Sequence, residues 1–256
     1  EAPQTGVTNN DWDAAAASYT LENSAPATTL SFPTFSGNNV TSSFGTPTLE
    51  DVSSETTTPT GVFFKPDGLK MYVVSNGTQG DIYQYALSTA FDTTTATLEK
   101  TLDINGWGDA LSIFFKPDGT RLFIGSTTHV GQFDLTTAWD VSTASAVSAV
   151  NVAPYTTATG LYFKPDGSRF YFTGTTSTAY IWEFACNTAW TISGAYYVAG
   201  KNLNSLGLAN GSPKGLWFAS DGSTAYVGQI DNVKQFSLGT AWTLGTILST
   251  PSTSET

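Results

Sequence analysis

The sequence predicts an all-β protein assembled from repeated four-stranded antiparallel units. Three observations carry that reading. A five-residue motif recurs at a near-constant interval, strand-like alternation flanks each copy, and no long stretch has helical period. The motif is Phe64-Lys65-Pro66-Asp67-Gly68, repeated as Phe115-Lys116-Pro117-Asp118-Gly119 and as Phe163-Lys164-Pro165-Asp166-Gly167. A decayed copy, Phe218-Ala219-Ser220-Asp221-Gly222, follows. Phe64 to Phe115 is 51 residues, Phe115 to Phe163 is 48, and Phe163 to Phe218 is 55. Four short strands in a unit of about fifty residues make one blade of a β-propeller.

Each element of the unit has its own signal. The first strand ends in two bulky apolar residues before the motif: Val62-Phe63, Ile113-Phe114, Leu161-Tyr162 and Leu216-Trp217. Pro-Asp-Gly then turns the chain. Proline presets φ at the first corner, aspartate bonds its own backbone, and glycine takes the positive φ that strains other residues. The second strand is an alternating run after the turn, around Tyr72, Phe123, Tyr171 and Tyr226. A third run follows a polar loop, at residues 82–87, 130–135, 180–184 and 233–238. It closes in Thr89-Ala90-Phe91-Asp92, Thr137-Ala138-Trp139-Asp140, Thr188-Ala189-Trp190 and Thr240-Ala241-Trp242. Weaker runs at 97–104, 146–152, 195–199 and 244–249 are expected as the fourth strands.

The strand, Pro-Asp-Gly turn and Tyr-Val-Val run resemble YVTN-type and related propeller repeats. The resemblance spans residues 60–249 and implies that the innermost strand ends at the Pro-Asp-Gly turn. The Thr-Ala-Trp-Asp element lies outside the YVTN pattern and marks a separate branch. That combination is similar to repeats in marine bacterial and phage proteins.

Four blades are expected at about residues 59–105, 106–152, 153–206 and 207–249, with a short tail after them. Residues 1–58 are expected to supply a degenerate fifth blade or an arm. Asp11-Trp12-Asp13 echoes the Trp-Asp element, and 19–22, 29–35, 40–44 and 48–52 are strand-like. The sequence therefore points to a five-bladed ring, in which closure protects the sheet edges. A chain cut from a longer array fits the same pattern.

Composition narrows the function. Hydrophobic residues make up 40% of the chain, charged residues only 12%, and the formal net charge is −11. Phosphate backbones and anionic membranes need clustered Lys and Arg, so nucleic acid is not an expected partner. No apolar run is long enough for a spanning helix, and no membrane insertion is expected. One cysteine, Cys186, excludes an internal disulfide and a cysteine-based zinc site. No metal or other cofactor is expected. A low-charge, Thr-rich, β-only surface points to an extracellular or virion setting.

The candidate chemistry is sparse. Asp67, Asp118, Asp166 and Asp221 invite a calcium reading, but turns a blade apart cannot share one ion, and the turn role accounts for them. The one histidine, His129, falls in the loop between the second and third strands, so a Ser-His-Asp or histidine-metal site would hang on it alone. Asp109, Asp231 and Asp81 are expected in loops on one face, where a carboxylate pair could do glycosidase work. Asp81 and Asp231 share a column, which favours a turn role. Glu183 lies on a strand, facing the channel or solvent.

Trp107 and Tyr155 sit in inter-blade loops outside any aromatic column, where a ring can stack on a sugar or anchor a protein contact. The loop-face residues Trp107, Asp109, His129, Tyr155 and Asp231 are therefore the candidate ligand-binding set, with no catalytic residue assigned. The expected function is a non-catalytic propeller that binds a glycan or protein surface or neighbouring virion or fibre subunits. Two alternatives stay open: a glycosidase- or lactonase-like hydrolase or lyase with acids at the channel mouth, and a structural module of a larger fibre or capsid-associated assembly.

Overall fold

The computed structural model describes residues 18–21, 28–31, 51–76, 81–104, 106–152, 157–175, 178–208, 213–229 and 232–248. The chain divides into one unit over Glu1–Pro47 and another over Thr48–Thr256. In the first unit, β1 (Ser18–Leu21) and β2 (Thr28–Ser31) pair antiparallel.

The second unit is four antiparallel sheets of consecutive strands. The first blade is β3 (Pro59–Phe64), β4 (Lys70–Ser75), β5 (Asp81–Leu87) and β6 (Ala96–Asp103). The second is β7 (Ala110–Phe115), β8 (Arg121–Ser126), β9 (His129–Leu135) and β10 (Ala144–Asn151). The third is β11 (Gly160–Phe163), β12 (Arg169–Thr175), β13 (Ala179–Ala185) and β14 (Tyr196–Asn202). The fourth has three strands, β15 (Gly215–Phe218), β16 (Thr224–Gly228) and β17 (Val233–Ser237). Its expected outer strand is reduced to a 3-10 turn at Leu244–Thr246 and one bridge, Leu238 to Ile247. The first strands lie side by side, β3 against β7, β7 against β11 and β11 against β15. That is the arrangement of a β-propeller with each blade's first strand innermost.

Four blades are described where five are expected. Residues 1–58 hold no Asp-Gly turn motif, the feature shared by the turns of all four described blades. Of their four strand-like runs, 40–44 and most of 48–52 lie outside the described residues. The break expected after residue 58 also moves. Thr56 Oγ1 bonds Ser75 Oγ at 2.6 Å, Tyr83 Oη donates to Glu55 O at 2.9 Å, and Val52 packs against the cluster of Met71, Val73, Tyr83, Tyr85 and Leu87. Residues 51–58 thus belong to the first blade.

A lock between two sequence columns holds each blade's turn. Gly68, Gly119, Gly167 and Gly222 have φ of +71° to +73°. Their carbonyls accept the N–H of Phe91, Trp139, Trp190 and Trp242 at 2.9 to 3.0 Å. Those rings lie so close that a Cβ on any of the glycines would sit 2.2 to 2.4 Å from ring carbon. The aromatics are themselves left-handed, with φ between +59° and +64°, a conformation that bulky residues keep only where surroundings impose it. This lock is what the Thr-Ala-Trp column is for.

Three contacts join successive blades. The last-but-one aromatic of the first strand packs on the next blade: Phe63 on Phe115 at 5.3 Å, Phe114 on Phe163 at 5.5 Å, Tyr162 on Phe218 at 5.4 Å. In the second strand, Tyr72 Oη donates to Trp139 O at 2.8 Å and Tyr171 Oη to Trp242 O at 2.7 Å. Phe123 holds that place in the second blade without a hydroxyl, and there Arg121 Nη1 donates to Trp190 O instead, at 2.7 Å. In the third strand, Gln84 and Gln132 Oε1 and Glu183 Oε2 accept the N–H of Val141, Ile192 and Leu244, each at 3.0 Å. These acceptors are buried, so each satisfies a backbone donor that water cannot reach.

Candidate functional site

Every described first strand runs toward its Asp-Gly turn (Pro-Asp-Gly in the first three blades, Ser220-Asp221-Gly222 in the fourth), which fixes the two ends of the blades. The turns and their aromatic locks lie at one end. The loops joining blades, and those between second and third strands, lie at the other.

At the turn end, the repeated aspartates are structural. Asp67, Asp118, Asp166 and Asp221 each accept the backbone N–H two residues on, at 2.9 to 3.0 Å. Lys65, Lys116 and Lys164 reach the other oxygen of the first three at 2.6 to 2.7 Å. Partial burial works to raise the Asp118 and Asp166 carboxyls, but the lysine and hydroxyl hydrogen bonds outweigh it and bring both down to about 2. Asp92 and Asp140 cap single 3-10 turns, accepting from Thr94 N and Ser142 N. Glu183, a candidate for the channel or solvent, faces neither. It is fully buried, pairs with Arg169 and holds the Leu244 N–H. Cys186 is half-buried, and burial pushes its thiol up to about 11.

The loop end of the second blade gathers three of the sequence candidates. Trp107 precedes β7, and its ring lies 5.0 Å from Phe133 and so close over Gly131 that a Cβ there would meet it at 2.9 Å. One side of the indole is thus core, while the residue as a whole is half-buried. Gly108 follows with φ +78°, and a Cβ on it would sit 2.8 Å from Thr127 Oγ1 and 3.3 Å from Thr128 Oγ1. Glycine there lets the inter-blade loop lie on the hairpin at Thr127 and Thr128. His129 is the first residue of β9 rather than a loop residue, and its Nδ1 lies 2.8 Å from Thr128 Oγ1. His129, Gly131 and Phe133 share one face of the strand, so the Trp107 ring lies along the face that bears the imidazole.

Asp109, two residues after Trp107 in the same inter-blade loop, is exposed. With its amide turned nitrogen-inward, Asn76 of the first blade places that nitrogen 3.1 Å from both Asp109 oxygens. Asn76 is the residue sequence reasoning missed. It belongs to no repeat column, and the available signal was its place after the second strand, at the end where the inter-blade loops gather. Asp81 opens β5 with a carboxylate oxygen 3.0 Å from Tyr83 Oη, sharing with Glu55 O the single phenol proton, while burial, reinforced by that carboxylate, pushes the phenol up to about 12. Tyr155 and Asp231 lie outside the described residues. The cluster offers a carboxylate, a carboxamide, an imidazole, hydroxyls and part of an indole. Among the described residues it contains no Lys or Arg.

Comparison with known proteins supports the class and stops there. The second unit is a β-propeller repeat structure. It is similar to the crystal structure of a candidate 6-phosphogluconolactonase from Bacteroides uniformis, at 14% identity and a TM-score of 0.53, covering 77% of this chain and 57% of that one. A second candidate 6-phosphogluconolactonase, from Bacteroides fragilis, matches at 15% identity and a TM-score of 0.52, over 75% of this chain and 56% of that one. The chain thus spans a little over half the length of these proteins. At such identity the likeness is one of fold. No family model and no curated protein matches the sequence.

Proposed function

We propose that this protein is a propeller-type binding module that engages a glycan or a protein surface through the loop end of its first two blades. The proposal is carried by the placement of Trp107, Asp109, His129 and Asn76 at the loop end of the first two blades, with Trp107 on Phe133, His129 on Thr128 and Asn76 within reach of Asp109. A half-buried indole beside a carboxylate, an amide and hydroxyls suits a neutral polyhydroxyl ligand, whose C–H face stacks and whose hydroxyls bond. An extracellular or virion setting belongs to the same proposal. It rests on the 12% charged content and the net charge of −11.

Lactone hydrolysis is the second reading, favoured by the fold likeness to the two Bacteroides structures. A phosphorylated lactone asks for cations at its phosphate. The described residues of the cluster supply none, but the fold likeness itself backs this reading better than it backs binding.

A glycan array run beside a 6-phosphogluconolactone hydrolysis assay separates the two. Saturable glycan binding that weakens in Asp109→Asn and Trp107→Ala, with no hydrolysis above the spontaneous rate, supports the module. Turnover lost in Asp109→Asn or His129→Ala, without glycan binding, replaces it with the hydrolase.

A further inference from the structure

Asn76 follows β4 and is half-buried. Its backbone is tied to the segment before β3: its N–H donates to Thr58 O at 3.0 Å, and its carbonyl accepts from Thr58 Oγ1 at 2.7 Å. Its carboxamide crosses to the second blade, where the nitrogen lies 3.1 Å from both oxygens of Asp109. Asp109 takes part in none of the ion pairs among the described residues. A neutral donor from the first blade is thus set against an unneutralised charge on the loop that opens the second.

The residue after Asn76 is Gly77. The side-chain carbonyl carbon of an asparagine can be reached by the backbone nitrogen of the next residue. What hinders their meeting is the bulk and stiffness of that residue. Glycine has no Cβ and the widest backbone freedom, so it hinders least. The other described asparagines precede Val152, Thr188, Leu203, Ser205 and Val233, all with a side chain and three of them β-branched. Among the described asparagines, Asn76 alone precedes a glycine.

We propose that Asn76 is a site of spontaneous deamidation, a self-modification that turns the contact between the first two blades from attraction to repulsion. The Gly77 nitrogen attacks Asn76 Cγ. A C–N bond forms, the Cγ–Nδ2 bond breaks, and ammonia leaves with the proton of the Gly77 N–H. Water then opens the succinimide so formed. Opening at the side-chain carbonyl gives aspartate, and opening at the main-chain carbonyl gives isoaspartate, in which the chain runs through the side chain. One water is taken up, one ammonia is released, and nothing is oxidised or reduced. The donor that faced Asp109 is gone and a second carboxylate stands in its place, so like charges meet where an amide and a carboxylate did. The change runs one way, and the loop end of these blades gains negative charge as the molecule ages. It does not depend on which ligand that end takes.

The test ages the full chain in warm, mildly alkaline buffer and follows it by peptide mapping with mass spectrometry. The peptide that carries Asn76 should gain one dalton and separate into aspartate and isoaspartate forms, well ahead of the peptides that carry Asn151, Asn187, Asn202 and Asn204. In parallel, thermal melts compare wild type, Asn76→Asp, Asp109→Asn and the double variant Asn76→Asp/Asp109→Asn. Asn76→Asp should lower Tm by about 1–4 °C, the scale of an exposed charge pair in a unit of this size. The double variant sets one amide against one carboxylate again and should regain that loss.

An Asn76 peptide that changes no faster than the other four overturns the proposal. So does an Asn76→Asp variant that melts with the wild type, or one whose loss persists when Asp109→Asn is added.

Discussion

Gly167→Ala tests the turn lock directly. Gly167 has φ +71°, and an added Cβ would lie 2.3 Å from Cδ1 and 2.4 Å from Cγ of Trp190. Two costs add. The left-handed backbone costs an alanine about 1–2 kcal/mol. Displacing an indole that is 9% exposed and packed on Phe163 and Phe114 costs about a further 1–3 kcal/mol, as for other overpacked cores. The sum is about 2–5 kcal/mol. For a unit of this size each kcal/mol lowers Tm by about 2–4 °C, so a drop of about 4–20 °C is expected.

Gly106→Ala is the control. Its φ is +90°, but nothing lies within 4 Å of the added Cβ, so only the backbone cost applies and Tm should fall by about 2–8 °C. Thermal and urea denaturation followed by circular dichroism measure both. The lock is refuted if Gly167→Ala is no more destabilising than Gly106→Ala. It is also refuted if a Trp190→Ala background fails to reduce the cost of Gly167→Ala, because the coupling must pass through the ring.

Three further outcomes follow from the same contacts. Gln132→Ala strands the buried Ile192 N–H and should cost about 1–3 kcal/mol, read as a lower urea midpoint at unchanged slope. Arg121→Met should destabilise the junction between the second and third blades, and adding Phe123→Tyr should recover part of the loss by supplying the hydroxyl that Tyr72 and Tyr171 use elsewhere; no recovery in the urea midpoint would count against equivalent columns. Asp118 and Asp166 have folded-state values near 2, below the ordinary value near 4, so the stability they contribute is full above about pH 4 and is lost as pH falls toward 2. Asp118→Asn/Asp166→Asn should flatten the fall of Tm with pH in that window, and an unchanged acid profile would refute the assignment.

The repeat was legible because its signals are local. A Pro-Asp-Gly turn needs its residues at fixed offsets, and half-buried strands must alternate, so the repeated four-strand pattern could be read from the sequence. The outer strand of the fourth blade was over-read at residues 244–249. Strand-like composition there cannot reveal that, among the described residues, the pairing is limited to a bridge of Leu238 with Ile247 and the backbone bonds beside it. Five blades are not supported, since four are described, and the Trp-Asp echo at Trp12 comes without an Asp-Gly turn motif in the sequence of residues 1–58.

The candidate site was half legible. Loop position alone brought Trp107, Asp109 and His129 to one end of the blades. That Trp107 spends one face on Gly131 and Phe133 was not legible, because a ring's neighbours across a blade are not its neighbours in sequence. Asn76 was invisible for the same reason, since its partner Asp109 belongs to the next blade.

The sequence by itself determined the unit: four runs, one turn and one aromatic column. Only tertiary structure decided what the columns do. The Thr-Ala-Trp column closes on the turn glycine. The Gln84, Gln132 and Glu183 column feeds a backbone donor in the following blade. A residue's periodic place sets which way it points, but its partner is set by the blade packed against it. The same residue type is therefore buried as Gln132 and exposed as Gln235, where no further blade is described to receive it.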